Sequence, residues 1–311
     1  MTGRSGGLGE GAALALAVAS AVGSSSSGPL AKALLEGGWS PLGVALARCG
    51  LATLTLVLPA VLVLRGRRTA VRRASPAIAV LGVFGIAGCV ICYFNAVARM
   101  PVGVALMIQY AAPLLVLAWT TWRHRNLPSP VTLVGAAVSM TGLVLVVGLV
   151  GDARPSVAGV LWACGGAASL ATYFTASDAL SSLPPAGLAC LSLAVSTATA
   201  LVLVVAGLMP LAWSTASVEV SGHAASWLLP LVLLVLVSTV FAYTTSMASV
   251  GVLGARLASF VSLSELVAAV LLAWAVLGEV PRPVQLVGGA LIGIGVVLIR
   301  NESVRAVAVP N

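Results

Sequence analysis

Charge is what this sequence has least of. Of its 311 residues only 16 are Lys or Arg and 8 are Asp or Glu, 8% in all, where an ordinary soluble domain carries about 25%. So few charges cannot coat a water-soluble protein of this length. With 60% hydrophobic residues, the composition is equally foreign to a disordered chain. Histidine is scarcer still: His124 and His223 are the only two. There is no His-Glu-x-x-His pair, Walker phosphate loop or Gly-x-Ser-x-Gly elbow, so the groups that metal-assisted, phosphoryl-transfer or acyl-transfer chemistry needs are missing. The cysteines number five, an odd count, and Cys49, Cys89, Cys92, Cys164 and Cys190 all lie inside apolar runs. That implies no disulfide framework. Cys89-Val-Ile-Cys92 spells half of a redox or zinc motif, but without a second pair or a nearby His it reads as small packing residues. Lysine occurs once, at Lys32, and most of the arginines fall in short segments between apolar runs. The net charge of +8 is therefore read as setting membrane topology, not as a face for nucleic acid.

What is present is a series of apolar runs long enough to cross a bilayer, each needing about 20 residues. Dividing the chain at Gly, Pro and charge clusters gives ten spans, near 12–35, 41–64, 76–98, 101–121, 131–150, 157–176, 186–208, 227–247, 251–276 and 283–299. The first is interrupted by Ser24 to Ser27 and Gly28-Pro29, and its front end also has the look of a cleaved signal peptide. Cleavage would remove the first element of the repeat described next, so it is counted as a span. With a cytoplasmic N-terminus, Arg4, Arg65, Arg67, Arg68, Arg72, Arg73, Arg123, Arg125, Arg300 and Arg305 fall inside, and Lys32, Arg99, Arg154 and Arg282 outside. That asymmetry obeys the positive-inside rule with both termini in the cytoplasm of a cell-membrane protein. Trp39, Trp213 and Trp227, near span ends, read as interface anchors. The 209–226 segment is the longest external connection.

The halves repeat. Pro130-Val-Thr-Leu133-Val-Gly135 returns as Pro283-Val-Gln-Leu286-Val-Gly288, and Gly142-Leu-Val144-Leu145 as Gly295-Val-Val297-Leu298, both at an offset of 153; Leu114 and Trp122 match Leu266 and Trp274 at 152. This predicts two five-helix repeats, 12–150 and 157–300. Five is odd, so the second half enters the membrane from the opposite face, as in alternating-access transporters with a midplane site between the halves. Gly82, Gly85 and Gly88, Gly165-Gly166 and Gly289-x-x-x-Gly293 suit close helix packing within one chain; monomer and homodimer both remain open.

Ten spans, this repeat, and the ending Phe260-Val-Ser-Leu-Ser-Glu265 through Leu277-Gly278-Glu279 to Pro283 and Gly288-Gly289 resemble the EamA-type branch of the drug/metabolite transporter superfamily. Arg48 in span 2 and the Pro29 to Lys32 stretch sit where that family often has them. After span 4, Trp122-Arg-His-Arg125 stands where an acidic residue is common. The resemblance implies an all-α, ten-helix secondary transporter, mostly an exporter of amino acids, their derivatives or amphiphilic compounds.

Ionisable side chains deep in a bilayer are costly and mark function. Glu265, about halfway along span 9, and Arg48 in span 2 are singled out. An apolar surrounding favours a carboxyl group's neutral form, which suits a proton-coupling site or a counter-charge for a substrate ammonium; a permanent pair with Arg48 is the structural alternative. At the repeat position of Glu265 stands Pro113, expected inside a helix, where it frees the carbonyl of Gln109. Gln109, Tyr110, Tyr93, Asn95, Tyr173, Tyr243 and Thr244 complete the candidate lining. No cofactor or metal is expected. The expected partners are a small-molecule substrate, membrane lipid and protons as coupling ion, with no nucleic acid. A uniporter or exchanger of the same solutes is the nearest alternative, ahead of an intramembrane enzyme or a non-transporting scaffold.

Overall fold

The computed structural model describes residues 9–100, 102–125, 127–147, 156–220, 223–277 and 283–308. Arg4, Arg154, Arg282 and the Gly278-Glu279 pair lie outside them, as do the side chains of His124, His223, Trp274 and Arg305. The described chain is almost wholly helical. The first half holds α1 (Glu10–Ser25), α2 (Ser27–Glu36), α3 (Pro41–Leu64), α4 (Arg68–Val80), α5 (Gly88–Val97), α6 (Val102–Gln109), α7 (Ala112–His124) and α8 (Pro130–Val147). The second holds α9 (Val157–Ala179), α10 (Pro185–Val205), α11 (Leu228–Val235), α12 (Ala242–Val261), α13 (Ser264–Leu277) and α14 (Pro283–Ala308). Ser40 and Ser156 start α3 and α9 as N-caps, each accepting from the backbone N–H three residues on at 3.0 Å.

Seven helical stretches among the described residues are long and apolar enough to cross a membrane. Their outward faces are apolar as well: Leu54 and Leu58 on α3, and Val202 and Val205 on α10, are each more than half exposed, as lipid-facing side chains must be. One stretch, Leu228–Val261, takes in what the sequence divides into the whole of one span and the start of the next. The division lies at Gly254, whose φ of 78° and ψ of 162° are non-helical and belong to a region open essentially to glycine alone. Ala242 and Ala258 line one cavity, although sixteen helical residues would separate them by about 24 Å. The chain therefore doubles back at Gly254.

Two segments of wider, π-type winding, Leu81–Ala87 and Leu236–Phe241, join α4 to α5 and α11 to α12. They sit at an offset close to that of the sequence repeat. The packing is paired in the same way: α8 lies along α14, α3 along α10, α1 along α12 and α5 along α9. A Cβ on Gly135 would meet the carbonyl oxygen of Gly295 at 3.0 Å, and one on Gly142 that of Gly288 at 2.6 Å. Numbers rise along α8 as they fall along α14, so these two equivalent helices run antiparallel. The close approach uses Gly135, Gly142, Gly288 and Gly295; Gly293, expected in that role, has nothing within 4 Å of its Cβ position. Gly82, Gly85 and Gly88 do pack as expected, against Val195, Tyr173 and Ser169 of α9 and α10.

The 209–226 connection carries a two-stranded antiparallel ladder, β1 (Val218–Val220) with β2 (His223–Ala225). It is tied to the α2–α3 turn by the Trp39 indole N–H, which donates to the Ser214 carbonyl at 2.8 Å. Trp39 also stacks on Trp227 with ring centroids 5.8 Å apart. Trp213 is two-thirds exposed.

Candidate functional site: a cavity with one cation and one carboxylate

Three helix breaks converge on the centre of the molecule. Span 1 is interrupted at Ser26, between α1 and α2; span 4 at Tyr110-Ala111, between α6 and α7; span 9 at Ser262-Leu263, between α12 and α13. Each break has a local cause. Four serines and Pro29 follow one another at the first. At the third, the Ser262 and Ser264 hydroxyls donate to the carbonyls of Ser259 and Val261, each at 2.7 Å, the local bonding by which serine competes with the helix ladder. At the second, Pro113 occupies one of the first two positions of α7, where a missing N–H costs nothing. This corrects the expectation that Pro113 lies inside a helix and breaks it there; it starts the helix that follows the break.

Between the breaks lies a cavity of about 110 Å³. Its walls include Arg48, Tyr93, Gln109, Tyr110, Tyr173, Tyr243 and Glu265, seven side chains singled out from the sequence. Arg48, only 6% exposed, donates from Nε to Thr239 Oγ1 at 2.7 Å, from Nη1 to Ser27 Oγ at 2.8 Å and from Nη2 to the Ser238 carbonyl at 2.8 Å. That carbonyl is available because the π-type winding sends the Ala242 N–H to Val237 and Thr239 instead. Thr239 in turn donates to the Leu234 carbonyl, five residues back, at 2.7 Å. The rings of Phe94 and Tyr243 stand 5.9 Å from the guanidinium carbon, within cation–π range. Every acceptor around Arg48 is neutral.

Glu265 sits in the first turn of α13, the end of a helix that favours negative charge, and faces the Tyr110 hydroxyl. Arg48 and Glu265 do not form a salt bridge. Among the described residues the ion pairs are Lys32–Glu36 at 3.7 Å and Arg300–Glu10 at 2.8 Å, both toward solvent. The cavity thus holds one guanidinium, bonded by neutral partners, and one carboxyl group beside the Tyr110 hydroxyl.

Two wall groups have unmet bonding capacity. Gln109 Nε2 donates to Cys89 Sγ at 3.4 Å, while Gln109 Oε1 and the Tyr173 hydroxyl are buried with no hydrogen-bond partner. Such groups cost about 1–3 kcal/mol each when left unmet. Gly166 makes room for the amide, since a Cβ there would come within 2.9 Å of Gln109 Oε1.

The family model for EamA-like transporters matches this chain twice, over residues 11–148 and 157–301. The chain belongs to the EamA-like transporter family. No curated protein matches it in sequence. One crystal structure superposes on this EamA-like chain with a TM-score of 0.72, covering 95% of it and 99% of the other chain at 22% identity, which shows a shared fold. Family and apolar helices together make the molecule a multi-pass membrane transporter.

Three expected wall residues are elsewhere. Asn95 donates from Nδ2 to Ile91 and accepts from Arg99 at 2.9 Å, fixing the end of α5. The Thr244 hydroxyl donates to the carbonyl of Val240, four residues back in the π-type segment, at 2.7 Å. Pro113 is not on the wall. The sequence reading missed Ser27, Ser238 and Thr239, the Arg48 cage of this EamA-like chain. Serine and threonine are common in apolar helices, and nothing local marks these three; only the depth of Arg48 could have prompted a search for its acceptors.

Proposed function

We propose that this chain is a secondary transporter exporting small metabolites (amino acids, their derivatives or amphiphilic compounds) by alternating access. In this reading ten spans form two inverted five-helix halves, 12–150 and 157–300, with both termini on the cytoplasmic face of the cell membrane. The observation that carries the proposal is the central cavity, in which Arg48 and Glu265 stand unbridged between elements of both halves. Two opposite charges left unbridged are suited to a ligand, because a permanent internal pair would cancel them. The antiparallel course of α8 and α14 and the paired packing of the halves support the inversion. Broken helices at a midplane site are how membrane proteins bring free backbone groups to a solute.

The cycle rocks the two halves about the cavity. Glu265 takes up a proton or holds a cationic group of the solute, and Tyr110 orients its carboxylate. Each unit of imposed pH difference is worth about 1.4 kcal/mol per proton moved, enough to drive modest accumulation. The chemistry is translocation, not bond-making, and the protein is read as no enzyme.

The test is flux in proteoliposomes with a labelled panel of amino acids, acylated amino acids, nucleosides and lipophilic cations, with and without a pH gradient. One class should move, faster with the gradient, and Glu265→Gln should abolish the gradient's effect. Flux that ignores the gradient in the parent would make the protein a uniporter or exchanger. No flux of any class from folded protein would overturn the transport of these solutes.

A further inference from the structure

A second cavity, of about 140 Å³, lies at the end of the molecule where α3 turns into α4 and α9 into α10. Its walls include Arg67, Ser181, Ser182, Met247 and Gly251. Five arginines, Arg65, Arg67, Arg68, Arg72 and Arg73, are carried by the chain around this end. On α12 the two cavities touch neighbouring residues: Ser246 lines the central one and Met247 the second. On the facing chain, Tyr173 lines the central cavity and Ser181 the second, eight residues on, and Ser177 lies midway on the same face. Between Tyr173 and Ser181 the helix rises about 12 Å, and Ser177 stands in that interval.

That interval has the wrong chemistry for a permanent seal. Ser177 is 1% exposed and its hydroxyl has no hydrogen-bond partner. Tyr173, whose hydroxyl faces Ser177 and Ser246, is also unpartnered. A closed packing interface would satisfy or exclude such groups; a passage that fills with water and solute gives them partners when it opens. Met247, 3% exposed, supplies an unbranched side chain able to repack. Gly251 lets the chains approach there, with its Cβ position 3.4 Å from Ser181 Cβ.

We propose that the seam between α9 and α12 is the solute's passage from the central cavity to the arginine-bearing end, and that Ser177 and Met247 form its closed partition. The inference rests on the central cavity being the transport site. The cationic mouth favours solutes with an anionic group, drawn in by the field of the arginines.

The experiment is site-resolved modification by a charged, membrane-impermeant methanethiosulfonate applied to one face of sealed vesicles. Ser177→Cys is made in the natural chain, whose own cysteines act as references: Cys89 lines the central cavity and Cys49 is buried against Ser196. From the arginine-bearing face, the thiol introduced at position 177 and that of Cys89 should both react, about tenfold or more faster than Cys49. Met247→Ala, which needs no change at Ser177, should accelerate Cys89 modification from that face alone. Modification of Cys89 from either face, with the introduced thiol silent, overturns the passage and leaves the central cavity standing. Modification of the introduced thiol with Cys89 silent makes the second cavity a dead end and overturns the passage too. Silence of both from both faces defeats the transport-site reading itself. If Ser177→Cys does not fold, an unchanged Cys89 rate in Met247→Ala is the overturning result.

Discussion

Arg48 is held by three neutral acceptors from two parts of the chain, Ser27 on α2 and Ser238 and Thr239 in the π-type segment. A guanidinium spans them because its donors are fixed in a plane; an ammonium is a point charge on a flexible stem. Arg48→Lys is therefore expected to lose at least one of the three bonds. It should lower stability by about 1–3 kcal/mol, read as a drop in melting temperature of detergent-purified protein. Unchanged melting would mean that the cage contributes nothing to holding α2 against the π-type segment. Both charged candidates were legible because charge is rare here and each sits deep in an apolar run. The cage was not, since a hydroxyl in a helix most often bonds its own backbone, as Thr244 does with Val240.

Among the elements, the breaks and the reversal at Gly254 shape the cavity. With φ 78° and ψ 162°, Gly254 occupies a conformation that any side chain strains, so Gly254→Ala should cost about 1–3 kcal/mol. Chemical denaturation would measure that loss, and an Ala variant as stable as the parent would show that the turn tolerates another backbone conformation. Gly142 has a different constraint. Its Cβ would lie 2.6 Å from a backbone oxygen of α14, which no rotamer change relieves, so Gly142→Ala should force the two helices apart at about 1–3 kcal/mol. Chemical denaturation should read that loss, whereas Gly293→Ala, whose Cβ position meets nothing within 4 Å, should cost little. The repeat motif included all four of the glycines at this interface, but Gly289-x-x-x-Gly293 looked the better packing pair. Which face of a helix meets another is a property of the partner, and the sequence of one helix does not contain it.

For the molecule as a unit, the proposed topology puts the N-terminus, the C-terminus and the α3–α4 turn on one side and the 209–226 hairpin on the other. Tags at both termini should be cleaved by protease from the cytoplasmic face only, with a site inserted in the hairpin cut only from outside. Cleavage of the two termini from opposite faces would require an odd number of crossings and would end the five-plus-five reading. Rocking of the halves adds a further expectation. A cross-link between the α9–α10 turn and α12 at positions 181 and 251, where the Gly251 Cβ position lies 3.4 Å from Ser181, should abolish flux and leave folding intact.

The solvent, the family and the apolar runs were legible in the linear chain, because composition, hydrophobic run length and a repeat at fixed offset need no folding to be seen. Glu265 and Arg48 stood out for the same reason, since an ionisable group in an apolar run is conspicuous wherever the run folds. Packing in three dimensions settled the rest: these two charges are not paired with each other, Pro113 starts a helix instead of breaking one, and Asn95 and Thr244 bond locally and stay off the cavity wall. The reason is distance: Arg48 meets acceptors about 190 residues away. Which polar group finds a partner across such a separation is set by how helices pack, and not by its neighbours in the chain.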